Sequence, residues 1–234
     1  YANKVGNKDE VALREEASRH QLNCIKHQHK YLKPSHIIPF ASFIYFCHEE
    51  NKYMNQGMNT VQMAYDYISG LGANCAVMYL NDSWTLGTEW DAQAALKEWN
   101  KHYDALETVE FLKAKDTTVE ELREQGQKFG EMLKGKFPAH VKQLEAIKTD
   151  VYLTDQNAAF QYSVKKGLVP SSKAADSCDI ALSTESLFYV FKELWGGNTL
   201  FINARFQTPP KGSYKNFRQF EGMAAKLNRG ETYE

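Results

Sequence analysis

The apolar positions of the first third of the chain predict helices and strands in alternation. Between residues 8 and 31 apolar side chains recur on one side of a helix, which Lys33-Pro34 ends because the residue before a proline disfavours the helical conformation. The apolar run 36–46 predicts a buried strand, with Pro39 marking an edge or a bulge. A second helix and two short strands follow at 59–72, 75–80 and 83–87. This order is typical of an α/β fold.

The rest of the chain changes character twice. Residues 91–148 are highly charged and predict successive helices, one of them with Thr117 or Thr118 as its N-cap and a glutamate closing a capping box. From residue 149 onward, alternation with period two predicts antiparallel strands, the last of them "NTLFINARFQ". The helices "TESLFYVFKELWGG", with Thr184 as its cap, and "KNFRQFEGMAAKLNR" complete an α+β unit. We therefore predict three regions, 1–90, 91–148 and 149–234.

Composition narrows the class of function. The chain has 28 basic and 29 acidic side chains, so no global field attracts nucleic acid or an anionic membrane, and we expect no nucleic-acid partner. No stretch approaches the ~18 consecutive apolar residues that a membrane span needs. Four scattered cysteines match no zinc-finger spacing and suit a reducing compartment, which indicates a cytoplasmic protein. Because "YANKVGNKDE" contains neither a signal-peptide core nor an initiator methionine, we expect the chain to begin inside a longer protein or after processing.

The polar triplet His48-Glu49-Glu50 directly follows the apolar run. Functional sites of α/β proteins lie at strand ends, where histidine and carboxylates can ligate Zn or Fe or act as acid and base. The alternative is the polar N-terminus of a helix, where the helix dipole favours glutamate. The spacing favours the helix, and His48 and Glu49 are the candidate metal ligands of a larger parent site.

Aromatic residues are concentrated near the C-terminus. They would suit the wall of an apolar ligand cavity, and they would equally suit an ordinary core, which is the more frequent outcome. Arg205 lies on the last predicted strand, with Asp176 and Asp179 as the expected partners of a structural salt bridge. The candidate ligand-binding residues are Phe160, Phe188, Phe191, Trp195, Phe201 and Arg205.

Residues 1–90 resemble the C-terminal portion of a metallo-β-lactamase-fold domain. The resemblance is carried by "YAN", a long helix, "KPSHIIPFASFIYFCHEENKYMN", "NTV" and "LNDSWTLG". It is to the subgroup with a proline-phenylalanine strand, which includes hydroxylases of nucleotide-linked amino sugars. The metal motif of the family, H-x-H-x-D-H, belongs to the first half of that fold, which this chain does not contain. The resemblance implies Zn or Fe in the full-length parent, no cofactor in this chain, and the N-terminal half of the parent domain as a partner.

Residues 149–234 resemble the sterol-carrier-protein type 2 fold. The resemblance is carried by "DIALSTESLFYVFKELWGGNTLFINARFQ" and the helix that follows it. Such domains enclose an apolar tunnel between a sheet and its helices. Alkylsulfatases of the metallo-β-lactamase fold carry such a domain at their C-terminus, where it helps to hold apolar substrate. The resemblance implies that this region binds an apolar small molecule or lipid, and that residues 91–148 are a helical bridge.

Two functions are therefore expected from the sequence. The first is the C-terminal region of a metal-dependent hydrolase or oxygenase, inactive by itself, whose tail domain binds an apolar ligand or substrate group. The alternative is a non-enzymatic lipid-binding or dimerisation module, with the bridge helices forming a homodimer surface. The residues proposed for that surface are Trp99, Tyr103, Leu106 and Phe111.

Overall fold

The computed structural model describes residues 10–40 and 45–231, which fall into two compact units. The N-terminal unit comprises Val11–Phe46 and Met54–Phe111. The C-terminal unit comprises Cys47–Tyr53 and the chain from Leu112 onward. The segment 47–53 therefore belongs to the C-terminal unit, although both its flanks belong to the other. The chain start and positions 41–44 of the predicted strand lie outside the described residues.

The N-terminal unit is built around one β-α-β crossover. Strand β1 (His36–Ile37) pairs in parallel with β2 (Asn74–Cys75), and helix α2 (Val61–Gly70) connects them. Parallel strands need such a crossover because a tight turn cannot bring the chain back in the same direction. Helix α1 (Glu10–Leu32) precedes this motif and α3 (Gln93–Ala105) follows it. The predicted helices are confirmed, whereas the described strands are shorter than expected and residues 83–87 form no strand.

Helix α2 positions the core of this unit. Its first turn is capped by Thr60, whose hydroxyl accepts a hydrogen bond from the backbone N–H of Met63. The buried face of α2 packs against the chain after β2 and the start of α3, because its apolar residues recur at helical spacing. The core residues of this unit are Val61, Val77, Ala92, Ala95 and Leu96.

The C-terminal unit combines one four-stranded sheet with five helices among its described residues. The strands are β3 (Thr149–Leu153), β4 (Ala158–Ser163), β5 (Gly167–Pro170) and β6 (Ile180–Leu182). The helices are α4 (Val119–Lys136), α5 (Val141–Ala146), α6 (Thr184–Lys192), α7 (Gly196–Asn203) and α8 (Lys215–Asn228). The sheet order is β5-β4-β3-β6. The β3–β6 pair is parallel and the other pairs are antiparallel, so the sheet is mixed rather than purely antiparallel as predicted.

Helix α4 closes the core of the C-terminal unit. It begins with the predicted capping box, in which Thr118 and Glu121 each accept a hydrogen bond from the backbone of the other. Two glycines let α4 approach β4 closely, and the buried hydroxyl of Tyr162 donates to the carbonyl of Gly126 at 3.0 Å. A Cβ at position 126 would lie 3.2 Å from the ring of Phe191. The helix that was predicted as part of a bridge is therefore packed into the core of this unit.

Helix α7 occupies most of the segment that was predicted as the last strand. The sequence "NTLFINARF" fits either period, and in the structure Leu200 is buried while Phe201 and Ile202 are exposed. Close packing favours the helix, because a Cβ at Gly197 would lie 1.8 Å from Cγ of Glu221 on α8. The helix ends at Ala204, whose φ of 54° is left-handed.

Candidate functional site

The segment Cys47–Tyr53 carries the polar triplet and is fixed to the C-terminal unit by its backbone. The N–H of Glu49 donates to the carbonyl of Leu112 at 2.8 Å, and the N–H of Leu112 donates to the carbonyl of Cys47 at 2.9 Å. The side chain of Asn51 accepts a hydrogen bond from the His48 N–H and donates to the carbonyl of Asn203 at the end of α7. The triplet thus begins a turn that leads into the 3₁₀ helix Lys52–Asn55, and it is not the open end of a long strand.

Glu50 is the centre of a hydrogen-bonded cluster. Its Oε1 accepts from the backbone N–H of Ser183 at 2.9 Å. Its Oε2 accepts from Nε and Nη2 of Arg205, at 2.9 and 2.7 Å, and from the hydroxyl of Ser186 at 3.3 Å. Nη2 of Arg205 also donates to Glu185 at 2.6 Å. One guanidinium therefore joins two carboxylates, and the side chains of all three residues are largely buried.

The electrostatics of this cluster favour the charged forms of Arg205 and Glu185. Burial opposes the charge on Arg205, yet the hydrogen bonds to Glu185 and Glu50 outweigh it and raise the pKa of the guanidinium. Burial alone would raise the pKa of Glu185, but the hydrogen bonds from Arg205 and from the backbone of Lys115 bring that pKa below its ordinary value. The N-cap of α6 is Ser183 and not Thr184 as predicted, so both carboxylates lie where the helix dipole favours negative charge.

The candidate metal ligands do not converge within this chain. His48 is buried, and its Nδ1 lies 3.5 Å from Oε2 of Glu50. Glu49 is turned to solvent, where its hydrogen bond with Lys52 lowers its pKa. Among the described residues, no three His, Cys, Asp or Glu side chains form a group that could hold a metal ion. His48 and Glu49 therefore do not fit a metal site in this chain, and their role in a parent site stays a prediction.

The prediction that Arg205 pairs with Asp176 or Asp179 was wrong. Asp176 forms an ion pair with Lys211, and Asp179 accepts from the backbone N–H of Asp150 at 2.9 Å. Arg205 pairs instead with Glu50, which lies 155 residues away in sequence, and with Glu185. No local pattern connects such distant positions, so the signal available in the sequence was only the presence of charges beside apolar runs.

The five aromatic candidates for an apolar cavity are distributed over two environments. Phe160 and Phe191 belong to the core of the C-terminal unit, and Phe188 packs against it partly buried. Trp195 and Phe201 are exposed by 46% and 50% of their surface. The structure therefore brings three of them to the interior and presents the other two to solvent. Arg205, the sixth candidate, lies in the ion cluster.

Helix α8 contributes a buried acid that sequence reasoning missed. Glu221 lies against Gly197 and is 8% exposed, and its carboxylate accepts a hydrogen bond from the hydroxyl of Tyr214 at 3.3 Å. Burial raises its pKa, which the phenol and the nearby Arg218 only partly offset. The signal in the sequence was a charge at an otherwise apolar position of an amphipathic helix, between Phe220 and the alanines at 224 and 225.

A polar cleft of about 490 Å³ lies where α4 begins. It is lined by residues 116–120 and by the β3–β4 turn at Asp155 and Gln156. Asp155 is already engaged, because its carboxylate accepts from the backbone N–H and the hydroxyl of Thr184 at the start of α6. The cleft contains no predicted site residue.

Two further findings bear on function. Among the described residues, no helix is both long and apolar enough to cross a bilayer. Comparison with protein-family models, with curated proteins and with solved structures found no match. The resemblances to metallo-β-lactamase-fold and sterol-carrier domains therefore remain predictions from the sequence.

Proposed function

We propose that this chain is the C-terminal region of a metal-dependent hydrolase or oxygenase of the metallo-β-lactamase fold. One observation supports this proposal above the others: exposed apolar side chains flank the parallel pair β1–β2. Phe40 is 85% exposed and Ile38 47%, and Leu80, which follows β2, is 67% exposed. Parallel sheets are normally covered on both faces, and an isolated two-stranded pair is marginally stable. Further strands from the N-terminal half of a parent domain would cover these side chains.

The experiment compares this chain with a longer product that includes the sequence encoded upstream of it. We expect the longer product to bind Zn or Fe stoichiometrically, measured by plasma mass spectrometry. We also expect slower hydrogen exchange at residues 36–40 than in the present chain, because added strands would protect those amides. A well-folded longer product without metal, or one with unchanged exchange at 36–40, would contradict the proposal.

A substitution tests whether further strands cover β1–β2, by comparing its effect on the stability of this chain and of the longer product. Phe40→Asp changes an exposed side chain here, so we expect a change within ~0.5 kcal/mol in this chain. In the longer product the same aspartate would be buried, and we expect a loss of at least ~2 kcal/mol. Val109→Asp is the matched control, since Val109 is also exposed in this unit and follows α3 rather than the sheet.

We further propose that the C-terminal unit binds an apolar ligand or substrate group. The exposed Trp195 and Phe201 on the same helix support this role, because exposed apolar surface often marks an interaction site. A ligand that binds the folded state raises the melting temperature, so a panel of fatty acids and detergents should increase it in a concentration-dependent way. No shift across the panel would count against this part of the proposal.

The non-enzymatic alternative, dimerisation through the bridge helices, is favoured less by the structure. Trp99 donates its indole N–H to the carbonyl of Met78, and both Trp99 and Tyr103 pack against the core of the N-terminal unit. Leu106 and Phe111 are partly buried. Sedimentation velocity at several concentrations tests this alternative, for which a concentration-dependent dimer is expected.

A further inference from the structure

The exposed side of α7 presents three large apolar side chains around one polar residue, Asn198. Trp195, Asn198, Phe201 and Ile202 are all exposed, and at about 100° per residue they occupy an arc of about 120°. The helix Gly196–Asn203 contains no charged residue. Beside it, Tyr189 accepts a hydrogen bond from the indole N–H of Trp195 at 2.9 Å. We define the α7 face as Tyr189, Trp195, Phe201 and Ile202.

Cations adjoin this face. The guanidinium of Arg218 on α8 lies 5.2 Å above the centre of the Phe201 ring. Lys215 precedes Arg218 by three residues on α8, so the two side chains are neighbours on the helix surface, and both are exposed. Within the described part of the chain, neither forms an ion pair with a carboxylate. Glu221, three residues after Arg218 on the same helix, is buried.

We infer that the α7 face binds an anionic lipid surface. This inference rests on the apolar-ligand part of the proposed function and names the ligand. Trp and Tyr side chains suit a membrane interface because each has an apolar body and a polar edge, and basic residues beside them attract anionic headgroups.

Two other occupants fit the α7 face less well. A second copy of the chain would bring Arg218 and Lys215 close to the same residues of its partner in a two-fold interface, and like charges would oppose the contact. A single fatty acid needs a pocket that encloses most of its surface, whereas α7 projects its side chains outward. A lipid surface can accept a projecting helix face and supplies the opposite charge.

The test is sedimentation of the full chain with vesicles of phosphatidylcholine alone and of phosphatidylcholine with about 30% phosphatidylserine. We expect binding to the anionic vesicles that weakens as salt is added. Ile202→Ser should weaken binding about tenfold, because one large apolar side chain no longer enters the interface. Arg218→Gln with Lys215→Gln should weaken it about 30-fold, at about fivefold for each charge.

Matched control variants test whether the loss of vesicle binding is specific to the α7 face and its adjoining cations. Lys165→Gln with Lys166→Gln removes two exposed lysines of the β4–β5 turn, and Leu112→Ser removes an exposed leucine elsewhere in the same unit. Both should leave vesicle binding unchanged. Three outcomes would overturn the inference. They are equal binding to neutral and anionic vesicles, equal losses of binding in variants and controls, and no binding to any vesicle. A melting-temperature increase with monomeric fatty acid but no vesicle binding would overturn it while leaving the proposed function standing.

Discussion

Replacing Glu50 with glutamine should destabilise the C-terminal unit far more than its small change in size indicates. Both carboxylate oxygens of Glu50 face donors, the Ser183 N–H on one side and Arg205 with Ser186 on the other. Whichever way the glutamine amide is turned, its NH₂ group meets a donor and at least one hydrogen bond is lost. The loss of a hydrogen bond to a charged group costs about 1.5–3 kcal/mol, and a buried donor is left unsatisfied. We expect a decrease of about 2–3 kcal/mol in the free energy of unfolding.

The chain supplies its own control for this substitution. Glu49→Gln makes the same chemical change at the adjacent residue, whose carboxylate is exposed and contacts only Lys52 among charged partners within bonding distance. Isolated surface pairs contribute little to stability, so we expect no measurable change.

Hydrogen exchange measured by mass spectrometry localises the effect. A loss of 2–3 kcal/mol should accelerate exchange about 30- to 150-fold in the amides at the start of α6 and in β3, provided that exchange there occurs by unfolding of the unit. Urea denaturation should give a lower midpoint with an unchanged slope. If Glu50→Gln behaves like Glu49→Gln in both measurements, the cluster does not stabilise the fold and the reasoning is refuted.

Three other substitutions, two of which have a matched control, test the contact between α7 and α8 and the cap of α4. Burial raises the pKa of Glu221, so its contribution to stability is most favourable below the ordinary carboxyl pKa of 4.5 and declines as pH rises through the folded-state pKa. Glu221→Gln should therefore gain stability relative to the unsubstituted chain as pH rises above 4.5, measured by urea denaturation. Gly197→Ala should cost about 3 kcal/mol because its Cβ would overlap Glu221, whereas Gly222→Ala, with open space around it on α8, should stabilise by about 0.5–1 kcal/mol. Thr118→Ala should cost about 1 kcal/mol by removing the cap of α4, and Thr117→Ala should have no effect in the same denaturation assay.

Local chemistry explains which elements could be predicted from the sequence. The cap at Thr118, the cap of α2 and the alternation of β3 depend on residues within a few positions of each other, and the structure has all of them. The segment at α7 could not be predicted in this way, because its apolar spacing fits both a strand and a helix. The contact between Gly197 and Glu221 favours the helix, and that contact exists only in the folded unit.

The polar triplet shows why the candidate site was only partly accessible from sequence. Carboxylates after an apolar run were interpreted as a metal site or as a solvated helix start, and Glu49 is indeed solvated. Glu50 fits neither interpretation, because it is buried. A buried carboxylate is tolerated when it is paired with a cation and accepts several hydrogen bonds. Its desolvation is offset by Arg205 from the chain after α7 and by donors at the start of α6, so the arrangement is favourable only when all three segments are in place. The cluster therefore makes the docking of segment 47–53 depend on the folding of the C-terminal unit. If Glu50 were exposed, its hydrogen bonds would contribute little to holding that segment in place.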